Sequence, residues 1–212
     1  MKILAVSDQV VKSIYSVHIC ERFGDVDMVL SCGDLPYSYL DYIASMLNVP
    51  CFFVHGNHDQ PEHQSDGRVL VEPGGWGDLD GRIVQAKGLI LAGLEGSIRY
   101  KSEGDFQYTE AQMASKIWRM LPALYMNRLR YGRYLDILVT HAPPFGIHDG
   151  QDYCHRGFET LLTFMARFQP RYLLHGHKHV YKPEPCETPY LDTQVINVYP
   201  FRTLEIDDTS FH

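Results

Sequence analysis

Apolar residues follow two rhythms along this chain. The unbroken run at residues 3–6 predicts a buried parallel strand, because a strand covered on both faces has no polar side to alternate with, and largely apolar stretches at 26–31, 51–54 and 135–140 predict further strands. Helical periodicity predicts a helix over 11–23, stopped by Gly24, and another over 36–47, opened by Pro36 and closed by Asn48 and Pro50. Residues 60–81 are rich in Gly, Pro and Asp and predict a loop with one short strand near 69–71. Two runs at 82–86 and 89–94, joined by Lys87-Gly88, predict a β-hairpin. Thr109 and Gln112 have capping-box spacing for a helix reaching about residue 129, which Pro122 would break or kink. A further amphipathic helix is predicted over 158–168, then strands over 172–175, 193–198 and 202–206.

The first three strands alternate with helices. Right-handed crossovers then bring all three carboxyl ends to one sheet edge, where ligand sites form in open α/β sheets. Each end is polar: Ser7-Asp8, Cys32-Gly33-Asp34 and His55-Gly56-Asn57-His58-Asp59. Two later strands deliver His141 and the run Gly176-His177-Lys178-His179. Histidines at alternate positions after a glycine suit two ions lying side by side better than one.

Bulk properties narrow the class. With 212 residues, 45% hydrophobic and 21% charged, the chain suits one α/β domain over residues 1–212, without repeat or linker. A net charge of −7 argues against a nucleic-acid polymer or an anionic membrane as partner. No apolar run approaches the ~20 residues of a bilayer span, and the N-terminus does not read as a signal peptide. A cytoplasmic location is expected. The five cysteines (Cys20, Cys32, Cys51, Cys154 and Cys186) lack paired spacing and read as free thiols filling core or surface. Oligomeric state leaves no signal. The strand-end donors are carboxylates, an amide and imidazoles without a thiolate, a set suited to Mn²⁺, Fe, Zn²⁺ or Mg²⁺.

Taken in order, Asp8, Gly33-Asp34, Gly56-Asn57-His58-Asp59, His141 and Gly176-His177-Lys178-His179 resemble the motifs of the calcineurin-like metallophosphoesterase superfamily. The resemblance implies a four-layer αββα sandwich, two mixed β-sheets flanked by helices, with one or two divalent ions at the sheet edge. Asp34 would bridge them. Asp8 and His179 would complete the first site, and Asn57, His141 and His177 the second. His58 would stand near the leaving-group oxygen as catalytic acid, with Asp59 as its orienting partner or, alternatively, a helix cap. The implied activity is metal-dependent hydrolysis of phosphomonoesters or phosphodiesters, as phosphatase or phosphodiesterase, by attack of a metal-bound hydroxide. The expected substrate is a small phosphorylated molecule such as a nucleotide.

One position departs from the family pattern. Its first motif is Asp-x-His, and here it reads Asp8-Gln9-Val10, so the first site lacks an imidazole. Three outcomes follow: a weakened first ion with extra water, a mononuclear centre on Asp34, Asn57, His141 and His177, or compensation by His55, His148 or His155. The first is preferred because Asp8 and His179 remain. Gln9 should point away by strand alternation. The same departure supports a rival reading, a weakened scaffold that binds a nucleotide or protein. Arg99, His148 and His155, with Tyr100, are the candidates for substrate contact. His55 is expected to face solvent, His18, His63 and His212 to have no role, and Phe52, Phe53, Trp118, Phe164 and Phe168 to fill the core.

Overall fold

Strand β1 (Lys2–Val6) shows how the layers arise. Successive strand side chains point to opposite faces. Ile3 and Ala5 therefore join one apolar cluster, which includes Ile137, Val139, Leu174 and Ile196, while Leu4 joins another with Ile19, Tyr39 and Ile43. The first cluster lies between two sheets and the second beneath two helices. Lacking a polar face, the strand is buried on both sides, as its apolar run predicts.

The computed structural model describes residues 1–180 and 184–206, and His212 lies outside them. After β1 come α1 (Ile19–Phe23), β2 (Met28–Ser31), α2 (Tyr37–Leu47) and β3 (Cys51–Phe53). The middle of the chain holds β4 (Glu62–His63), β5 (Val69–Leu70), β6 (Trp76–Asp78), β7 (Ile83–Ala86), β8 (Leu89–Leu94), β9 (Ser97–Ile98) and β10 (Gln107–Tyr108). Then follow α3 (Glu110–Tyr131), β11 (Ile137–Thr140), α4 (Glu159–Phe168), β12 (Tyr172–His175), β13 (Glu187–Tyr190), β14 (Thr193–Asn197) and β15 (Phe201–Glu205).

One sheet has the order β15-β1-β2-β3-β6 and the other β13-β14-β12-β11-β8-β7. Strands β1, β2, β3 and β6 run parallel, with β15 antiparallel at the edge. In the second sheet β8, β11, β12 and β14 run parallel between antiparallel β7 and β13. Helices α3 and α4 cover its outer face through Met113, Ile117, Leu124, Leu161, Phe164 and Phe168. The architecture is the expected four-layer αββα sandwich of two mixed sheets. The ends of β1, β2, β3, β11 and β12 all deliver their loops to one rim.

The structure corrects several expectations. The first helix covers only Ile19–Phe23. Residues 11–18 turn irregularly around buried Ile14, their Val, Ser and Tyr content being poor in helix formers. Strands β6 and β13 were not predicted; each adds an edge to its sheet. Helix α3 runs unbroken through Pro122, which sits on the solvent side where water can replace the lost hydrogen bond. Its capping box is present, with Gln112 N–H donating to Thr109 Oγ1 and Thr109 N–H to Gln112 Oε1. Trp118, expected in the core, is 72% exposed on the outer face of α3. All five cysteines are free. Among the described residues, no helix is long and apolar enough to cross a membrane.

Candidate metal centre

Three of the rim loops place a non-glycine residue in the left-handed region: Asp8 at φ 62°, Asp34 at φ 56° and His177 at φ 66°. That conformation is uncommon outside glycine and is found at sites whose surroundings enforce it. Here the loops nest against one another. Asp8 N–H donates to the Gly33 carbonyl at 3.1 Å, and His177 N–H to both Asp8 carboxylate oxygens at 3.1 and 3.0 Å. A Cβ at Gly56 would overlap Asp34 Oδ1, and one at Gly176 would overlap Ser7 Oγ and Asp8 Oδ2. The glycines of these two motifs are required by that close approach.

Four donors converge on the second-site side. His141 Nε2 lies 3.1 Å from Asn57 Oδ1, 3.4 Å from Asp34 Oδ2 and 3.1 Å from His177 Nδ1. Both rings are oriented from behind. His141 Nδ1–H donates to the Cys32 carbonyl at 2.7 Å, and His177 Nε2–H to the Cys154 carbonyl at 2.8 Å. Each ring thus presents its other nitrogen to the centre. Asn57 is held by its own amide, which donates to Tyr100 Oη at 3.2 Å. Ligands about 2.1 Å from one cation stand roughly 3.0–3.4 Å apart, so the spacings fit a common ion. One carboxylate, one amide oxygen and two imidazoles are also the right chemistry for a borderline divalent cation. Asp34, His141 and His177 satisfy the geometry of a metal-binding group.

The electrostatics agree. Burial alone would push His141 down, but the negative charges of Asp34 and Asp8 override it and raise its pKa to about 9. Burial likewise opposes ionisation of Asp34, yet the His141 charge and the His58 N–H, at 2.8 Å, hold its carboxyl well below the usual range. His177 is pushed down to about 4 by burial and by the charge on His141. The centre therefore carries its positive charge on His141, and a divalent cation would compete with that proton.

The first-site side is built differently. Besides the two bonds from His177 N–H, the Asp8 carboxylate accepts one from the Ser7 hydroxyl. His179 Nε2 stands 3.7 Å from Asp8 Oδ1, with its side chain 40% exposed and its ring stacked on Tyr199 at 4.5 Å. Val10 is 37% exposed, and the Gln9 side chain accepts a bond from Tyr199 Oη at 2.6 Å. Neither supplies a donor in place of the imidazole.

The other candidates divide. His58 is exposed at the rim beside Asp34. Asp59 does not orient it: its carboxylate accepts from Leu35 N–H at 3.2 Å and Gly56 N–H at 2.9 Å and pairs with His55 at 3.5 Å. Asp59 holds the loops of β2 and β3 together, and the reading of it as partner to His58 is corrected. His55 is buried rather than solvent-facing, stacked on Phe106 at 4.3 Å. His148 is no rim residue either. Its ring nitrogens contact His175 Nε2 at 3.0 Å and Thr188 Oγ1 at 2.8 Å, so it braces the strand leading to His177. His155 lies against His177, ring centroids 5.2 Å apart. The Arg99 guanidinium donates to the Gln107 carbonyl and lines a cavity of about 160 Å³ with Tyr108, Glu110, Tyr153 and Arg156. Sequence reasoning missed the carbonyls of Cys32 and Cys154 and the brace of His148 and His175. Backbone carbonyls leave no residue-type signal, though His175 at a strand end beside two candidate ligands could have been weighed.

Residues 1–181 match the family model described as calcineurin-like phosphoesterase. A Caenorhabditis elegans protein, UPF0046 protein K07C11.7, is 28% identical over 138 residues, 59% of this chain and 44% of that relative. The chain thus spans less than half the length of the curated relative it matches. Among solved structures, TT1561 of Thermus thermophilus matches with a TM-score of 0.63 at 16% identity, covering 93% of this chain and 88% of the other. That likeness shows the fold. A Vps29 variant from Entamoeba histolytica is more distant, with a TM-score of 0.47 at 13% identity over 98% and 87% of the two chains.

Proposed function

This chain belongs to the calcineurin-like phosphoesterase family, and from that premise we propose that it hydrolyses esters of a small phosphorylated molecule at a centre dominated by one divalent cation. The observation that carries this reading is the convergence of Asp34, Asn57 and His177 on His141 Nε2 at 3.1–3.4 Å. These four residues would hold the cation. When bound, it supplies Lewis acidity toward the phosphoryl group and makes a water acidic enough to attack at neutral pH. The protein's own residues do the rest. Cys32 and Cys154 carbonyls fix the two imidazoles, and Tyr100 holds the amide of Asn57, so the donors need no rearrangement on loading.

The reading assigns His58, exposed at the rim with its backbone N–H on Asp34, to hand a proton to the leaving oxygen. Such a contribution is worth typically ~10²–10⁴-fold. Arg99 and Tyr153, which line the cavity with Arg156 and Tyr108, are next in sequence to Tyr100 and Cys154, which bond to Asn57 and His177; this linkage supports reading the cavity as the place of a leaving group that is aromatic, anionic or both. A nucleotide has that chemistry.

The experiment is Mn²⁺-supported turnover of bis-p-nitrophenyl phosphate and of an alkyl phosphodiester by the wild type and His58→Ala. The alkyl ester should lose on the order of 10²-fold, and the nitrophenyl ester much less because its leaving group needs no proton. No turnover of either ester by the wild type would contradict the enzyme reading and favour the weakened scaffold to which Val10 points.

A further inference from the structure

Cys154 reads as filler in the sequence, but the fold sets it in a cluster of three unlike donors. It occupies a 3-10 turn, Tyr153–His155, in the loop between β11 and α4. Its Sγ lies 2.7 Å from Asp152 Oδ2 and 3.4 Å from His155 Nδ1, and His155 Nδ1 is 2.5 Å from the same carboxylate oxygen. Asp152, Cys154 and His155 satisfy the geometry of a metal-binding group. We propose that they form a separate site for a borderline-to-soft divalent cation of the Zn²⁺ class, beside the phosphoesterase centre and not part of it.

Three features support this assignment. The first is donor chemistry. Thiolate, imidazole and carboxylate select Zn²⁺-like ions, whereas the sulfur-free group at Asp34 accepts harder ones. Three protein donors facing solvent also leave the next coordination position to water, the arrangement of an open zinc site.

The second is scaffolding. The turn is pinned from several sides: Gly150 N–H donates to the His155 carbonyl at 2.8 Å, His155 N–H to the Asp152 carbonyl at 3.2 Å, and Gly157 N–H to Asp149 Oδ2 at 3.1 Å. Lys178 Nζ reaches the Asp149 carbonyl at 3.0 Å, tying the loop to the run that carries His177. Donors held this way lose little freedom on binding an ion.

The third is position. The Cys154 carbonyl accepts the His177 Nε2–H bond, so an ion that stiffened this turn would also stiffen the ring serving the neighbouring centre. Binding replaces the two hydrogen bonds to Asp152 with ligation: the Cys154 thiol proton goes to solvent, and the His155 proton leaves Nδ1 for Nε2 by exchange with solvent, freeing Nδ1 to ligate.

The rival account gives the cluster hydrogen bonds alone, the thiol and the imidazole both donating to Asp152. Co²⁺ separates the two, because a thiolate ligand gives a near-ultraviolet sulfur-to-cobalt charge-transfer band that oxygen and nitrogen ligands do not. The wild type titrated with Co²⁺ should develop that band at micromolar metal, and added Zn²⁺ should bleach it. Cys154→Ser should lack the band yet still bind Co²⁺ at the sulfur-free centre. His177→Ala, or Asn57→Ala should that variant misfold, should keep it. Absence of the band in the wild type, its survival in Cys154→Ser, or its appearance only at millimolar Co²⁺ would each overturn the site. None of these readouts depends on phosphoesterase activity.

Discussion

The two sides of the proposed centre would share Asp34 and little else. On one, Asp34, Asn57 and His177 each bring a donor atom to 3.1–3.4 Å from His141 Nε2, and both imidazoles are anchored through their far nitrogens to backbone carbonyls. On the other, the Asp8 carboxylate already accepts from Ser7 and from His177 N–H, His179 is half in solvent, and Val10 offers no coordinating atom. Both sides keep the same backbone device, a left-handed aspartate after a strand. The loop geometry thus stands without an imidazole at position 10, because Asp8 serves the fold by accepting from the His177 N–H. Retained geometry and retained metal affinity are separate properties.

The largest effect should come from the intact side. His177→Ala removes one of four donors, and because losing even an outer partner costs roughly 10–100-fold, turnover should fall by more than ~100-fold and Mn²⁺ content should vanish, as read by elemental analysis. Undiminished Mn²⁺ binding would mean that the ion sits elsewhere.

A second effect follows from His141. Its pKa of about 9 lies above the ordinary histidine value of 6.5, so the metal-free protein holds a proton there at neutral pH. That proton's contribution to stability is full below about 6.5 and is lost as pH rises through about 9. Cation binding has the opposite slope. Affinity should tighten by up to about tenfold per pH unit between 6.5 and 9 and then level off, as followed by Mn²⁺ titration. A flat profile would show that His141 is not displaced by the ion.

The smallest effect belongs to the other side. His179→Ala should cost well below the ~10-fold typical of losing even an outer-shell partner, as measured by kcat/KM on the same diester. A loss comparable to that of His177→Ala would make the two sides equivalent and break the comparison.

Asp34, Asn57, His141 and His177 were legible in the sequence because each follows an apolar strand run at a polar turn, and parallel topology sends those turns to one rim. The layers were legible for the same reason, since strands apolar on both faces require cover on both. What orients these side chains was not. Tyr100 meets Asn57, and Cys154 meets His177, across sequence distances that no local pattern encodes. The reading of Asp59 failed similarly: adjacency to His58 suggested a partner, but its carboxylate points back to Leu35, Gly56 and His55. Trp118 failed because hydrophobicity marks what a residue prefers, whereas the helix face it occupies is set by Met113, Ile117, Met120 and Leu124 packing inward.

The central claim is that one side of the centre binds a hard divalent ion firmly and the other does not. Mn²⁺ stoichiometry tests it most directly, because the thiolate-bearing turn at Cys154 does not favour that ion. Equilibrium titration of the wild type should give one tightly bound Mn²⁺ per chain, and Val10→His should give two. Two tight ions in the wild type, or one in both proteins, would contradict the account.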